Sequence, residues 1–167
     1  QRARTVSLNV DEENAKVLGT SAGPLSASRL QEILIGENKS GVVPQLATPP
    51  TAGTPDDQKR LTSRLAALWN LLIPESERDA IKGGNYKRLI VVPDGSLSLF
   101  PFESLVVQGE GDPEYLLDRG PEILYGPSLS VLFNLSSRSK NVTRKGDVVL
   151  TVADPVYAQE NQLASVQ

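Results

Sequence analysis

Arg88-Leu-Ile-Val-Val92, closed by Pro93-Asp94-Gly95, is a continuous apolar run ended by a turn signal. Four consecutive large aliphatic residues without polar alternation predict a strand buried on both faces, as in a parallel sheet covered by helices. Asp94-Gly95 marks a turn, because Asp bonds to nearby backbone and Gly supplies positive φ. Asp147-Val-Val-Leu-Thr-Val152 repeats the pattern and ends at Asp154-Pro155, and Glu122-Ile-Leu-Tyr125 ends at Gly126-Pro127. Strands of this kind alternating with helical periods predict an α/β fold, a layered sheet with flanking helices.

Upstream, the clearest helix starts with Thr54 as N-cap, Pro55 at the first helical position and Asp57 in the first turn. Leu61, Leu65, Leu68 and Leu72 form one apolar stripe, with Trp69 expected at its edge, and Pro74 stops the run. Three segments follow from the whole pattern. Residues 1–36 read as a strand–helix lead-in, with Val6, Leu8 and Val10 alternating in Thr5–Val10 and a Ser28/Gln31 capping box before Leu30, Ile33 and Leu34. Residues 37–56, punctured by Gly41, Pro44, Pro49, Pro50, Gly53 and Pro55, read as a flexible Pro/Gly-rich loop. Residues 57–167 read as the α/β domain, incomplete at its C-terminus. Within it, Leu97, Leu99 and Phe100 suggest a return segment, and Ser128 caps a short helix through Leu135. A polar, basic stretch runs from Ser136 to Gly146, and residues 158–167 show no strong pattern.

The 167 residues contain no Cys, no His and no Met, and carry a formal net charge of -3. The length suits one domain with a sizeable core. Lack of Cys excludes disulfides, zinc ribbons, iron–sulfur clusters and a thiol nucleophile from these residues, and lack of His removes the imidazole base. Lack of Met leads to the expectation that Gln1 is not a translation start and that the chain is a fragment, a processed product or the ordered part of something longer. A mildly acidic balance lacks the basic footprint of a nucleic-acid binder. The apolar runs are far shorter than the ~20 residues that span a bilayer. The expectation is therefore a cytoplasmic protein without nucleic-acid, membrane or cofactor partners.

Stock catalytic patterns are missing. There is no G-x-S-x-G elbow, and the glycine pairs match neither a P-loop nor a dinucleotide fingerprint. Glu110, Asp112 and Glu114 lack calcium-loop spacing and read as a solvated acidic loop. Arg138, Lys140, Arg144 and Lys145 read as a solvated linker, and the sequons at Asn38, Asn134 and Asn141 as chance occurrences. Asp94 has a catalytic reading, but turn formation accounts for it. Asp154, Pro155 and Tyr157 lie just beyond a buried-type strand, at the edge where open α/β sheets bind ligands, and are candidates to line a cleft.

Five segments together carry a resemblance: Leu65-Ala-Ala-Leu-Trp-Asn-Leu-Leu-Ile-Pro74, Arg88 through Leu105, Tyr115-Leu-Leu-Asp118, Ile123-Leu-Tyr-Gly-Pro-Ser-Leu-Ser-Val-Leu132 and Val148-Val-Leu-Thr-Val-Ala-Asp-Pro-Val-Tyr157. In this order they resemble the N-terminal part of the CHAT domain, a caspase-like cysteine peptidase family often attached to tetratricopeptide repeats. The run from Pro93-Asp94-Gly95 to Pro101-Phe102 is its most specific element. The resemblance implies a Cys–His dyad, a thiolate nucleophile with an imidazole partner, in motifs resembling T-H-G and S-A-C beyond the Asp-Pro-x-Tyr segment. No residue of this chain inherits a catalytic role. The implied function is the N-terminal portion of a cysteine endopeptidase acting on a protein or peptide substrate. Its implied partner is the C-terminal remainder of the domain, in the same or a separate chain. The alternatives are a non-catalytic interaction module derived from such a domain, or a processed subunit pairing with a catalytic chain. By the same resemblance, residues 147–152 are the first strand of the caspase-like core, and Asp154, Pro155 and Tyr157 lie at the substrate cleft.

Overall fold

The computed structural model describes residues 5–48, 53–109 and 111–139. One compact unit ends at Leu132; of the second, Phe133–Gln167, the described part is the end of one helix. The predicted strand at 147–152, the tail at 158–167 and the candidates Asp154, Pro155 and Tyr157 lie outside the described residues.

Helix and strand alternate along the chain, and the fold is α/β. Strand β1 is Asn9–Val10, the last two residues of the predicted Thr5–Val10 strand, and it pairs antiparallel with β2, Gly23–Pro24. Between them lies helix α1, Glu12–Leu18, which the apolar spacing does not announce. Its signals are at its ends. Asp11 Oδ1 accepts from the Asn14 amide at 2.7 Å, Glu12 and Glu13 sit in the first turn, and Gly19 closes the helix at φ 71°.

Helix α2 spans Ala27–Leu34 and buries Ile33 and Leu34. Its cap is Ser26 rather than Ser28. Ser26 has extended backbone and its Oγ accepts from the Arg29 amide at 3.3 Å, whereas the Ser28 hydroxyl pairs with that of Ser26. Gly36 follows at φ 66°. Of the predicted loop's described residues, 37–48 carry regular structure. A 3-10 turn, Glu37–Lys39, leads into helix α3, Val42–Leu46, whose Val42 is fully buried. Pro44 is tolerated there because it falls in the first turn, where its missing N–H has no partner to lose.

Helix α4, Pro55–Leu72, organises the core. Thr54 is the N-cap and Pro55 the first residue, as the sequence predicts, and Thr54 and Asp57 further exchange bonds as a complete capping box. Leu65, Leu68 and Leu71 are buried, and α1, α3 and strand β4, Val106–Gln108, pack against this helix. Trp69 is 2% exposed, so it lies in the core and not at the stripe's edge; Leu61 and Leu72, half-buried, are the flanks. Its indole N–H has no hydrogen-bond partner among the described residues. Pro74 ends the helix and opens α5, Glu75–Lys82, an amphipathic helix of about two turns to which Ile81 contributes the buried anchor.

Strand β3, Arg88–Val91, pairs in parallel with β6, Glu122–Tyr125, in the register Arg88↔Glu122 through Val91↔Tyr125. Between them the chain makes two 3-10 turns, Gly95–Leu99 and Phe102–Ser104, where the sequence suggests a return strand. Then follow β4, Val106–Gln108, and β5, Glu114–Tyr115, an antiparallel hairpin around the acidic loop, and helix α6, Leu116–Arg119. Helix α7, Leu129–Ser139, starts at Ser128, whose Oγ accepts from the Val131 amide at 3.1 Å, and runs past Leu135 into the predicted linker. No described helix is long and apolar enough to cross a membrane.

The parallel pair departs from the sequence reading in one respect. Leu89, Val91 and Ile123 pack on the core, but Ile90 is 50% and Leu124 39% exposed. The all-apolar run signals burial on two faces, and among the described residues only one is covered.

Candidate functional site

In an open parallel sheet, strand carboxyl ends gather loops and leave main-chain groups without ladder partners, so ligand sites form at that edge. Here the edge is built from the ends of β3 and β6. The Gly126 amide donates to the Val91 carbonyl at 2.9 Å, carrying the ladder one step past Tyr125. Pro93 then removes a donor, and the chain turns away through Asp94 and Gly95.

Asp94 is exposed, and its Oδ1 accepts from the Gly95 amide at 2.9 Å, with Gly95 at φ 56°. The side chain caps the 3-10 turn that follows it. That supports the turn-forming reading of Asp94, since the observed contact is to its own turn.

Tyr125 ties the edge together. Its hydroxyl donates to Glu103 Oε2 at 2.6 Å and accepts from the Phe102 amide at 2.9 Å, joining β6 to the 102–104 turn. Its ring lies 6.3 Å from that of Phe102, which in turn meets Phe100 edge-on at 5.5 Å. Burial of the phenol and its bond to Glu103 push the Tyr125 pKa up to about 12. A phenol so placed stays protonated at neutral pH and serves as a fixed donor, not as a base or nucleophile. These bonds and ring contacts tie the edge to the 102–104 turn.

A second concentration of charge lies where α4 meets the ends of α1 and α2. Arg64 is 9% exposed. Its Nη1 donates to the Ser40 carbonyl at 3.0 Å and to Gln45 Oε1 at 3.1 Å, and Nη2 to the Ile33 carbonyl at 3.4 Å. Burial, with the Arg60 charge nearby, lowers its pKa from the ordinary arginine value. The guanidinium thus satisfies a carbonyl at the C-terminal end of α2, where the helix dipole favours a cation, and the Ser40 carbonyl just before α3. Its donors face main chain, which makes it a structural staple.

The spacing contained a signal for Arg64. It lies three residues after Leu61 and four before Leu68, inside the apolar stripe, where a charged residue needs buried partners. Tyr125 and Glu103 had no comparable signal, because their contact spans 22 residues and depends on the parallel register. No group of acidic side chains suited to a metal ion is found among the described residues. Glu114, in the loop read as solvated, pairs with Arg119 at 2.6 Å on the surface.

The chain is thus a mixed α/β fold whose parallel strand pair turns at Pro93-Asp94-Gly95 and Gly126-Pro127, and its sequence holds neither Cys nor His. The family model of the CHAT domain matches residues 62–167, well over half of the chain, and the chain belongs to that family. No curated protein and no solved structure matched it.

Proposed function

We propose that these residues are the N-terminal portion of a CHAT-type, caspase-like cysteine endopeptidase whose Cys–His dyad comes from outside the 167 residues. The observation that carries this reading is the match to the CHAT domain over residues 62–167. The sequence adds that neither Cys nor His is present, so a dyad of that chemistry has to be supplied elsewhere. The open carboxyl edge of β3 and β6 supports the same reading, since it is a preformed platform without its own nucleophile. In this reading the protein or peptide substrate binds along the continued sheet edge, and Asp154, Pro155 and Tyr157 line the cleft. The remainder of the domain is the first partner, in the same or a separate chain.

The test is made on the product of the complete reading frame. It is expected to contain a His motif and then a Cys motif after Gln167. A peptidyl electrophile should label that Cys alone, and replacing it with Ala should abolish both labelling and peptide-bond cleavage. A frame lacking either residue, or an intact protein that is neither labelled nor active, overturns the peptidase reading in favour of a non-catalytic interaction module.

A further inference from the structure

We draw no further inference here: the strongest candidate, the outward apolar face of the β3–β6 pair around Ile90 and Leu124, is uncovered among the described residues, and nothing in the structure shows what covers it.

Discussion

Two residues carry more of the fold than their chemistry suggests. Replacing Arg64 with Ala would take the Arg64 donors from the Ile33 carbonyl and Gln45 Oε1, while the Ser40 carbonyl keeps its bond from Gln45 Nε2 at 3.1 Å. An unmade buried hydrogen bond costs about 1–3 kcal/mol, so Arg64→Ala should lower the urea midpoint by an amount in that range with an unchanged denaturant slope. Arg64→Lys should recover only part of the loss, because one ammonium cannot reproduce a planar fork of donors. Tyr125→Phe removes both the Glu103 and Phe102 bonds and should cost about 1 kcal/mol, given the partial exposure of the site. The sign of the pH effect follows from the direction of the shift. The folded pKa of about 12 lies above the ordinary 10.0, so the Tyr125 contribution is complete below the unfolded value and is lost as pH rises through the folded one. Phenolate absorbance should show Tyr125 ionising late, with Tyr86 also raised by its bond to Glu77, and Tyr125→Phe should remove the Tyr125 step while reducing the alkaline loss of stability. An early titration of all four tyrosines would contradict the clamp.

Elements were legible where their ends carried chemistry and the apolar period was long. Helix α4 announced itself through Thr54, Pro55, Asp57 and its leucines, and Ser128 marked the start of α7. Helices α1 and α5 were missed because each is short and buries few residues, so tertiary packing rather than periodicity holds them. Helix α3 hid within a run of Pro and Gly. Gly41, its cap, explains that disguise: a Cβ there would collide with the Ile35 and Leu34 carbonyls, so Gly permits the close return of the chain onto α2. Gly41→Ala should therefore destabilise by about 1–3 kcal/mol or more through forced displacement, read as a lower thermal midpoint. Thr54→Ala should cost about 1 kcal/mol through loss of the α4 cap. The Thr54 bonds hold the Asp57 carboxyl below its ordinary value, so its contribution is present above that value and disappears as pH falls through the lower folded one. Acid titration of Thr54→Ala should accordingly show a smaller loss than the parent chain.

At the scale of the molecule, the α/β class was readable from strand–helix alternation, whereas the number of covered faces was not. A run such as Arg88–Val92 records how many sides are apolar, and the neighbours that cover them are supplied by distant chain. The consequence is measurable. Ile90→Lys, on the outward face, should change stability by no more than about 0.5 kcal/mol and should reduce light scattering in concentrated solution. Leu68→Ala, in the fully buried centre of α4, should cost about 2–5 kcal/mol. Equal losses from both substitutions would show that the outward face is already buried in solution. The same buried centre gives the protein an optical property. Trp69 is the sole tryptophan, and it sits in the core on the helix that α1, α3 and β4 share. Its emission should be blue-shifted in the native chain and move to the red when α4 separates from those neighbours. A single natural fluorophore therefore reports on the central helix without any label, and each stability prediction above can be read in its colour.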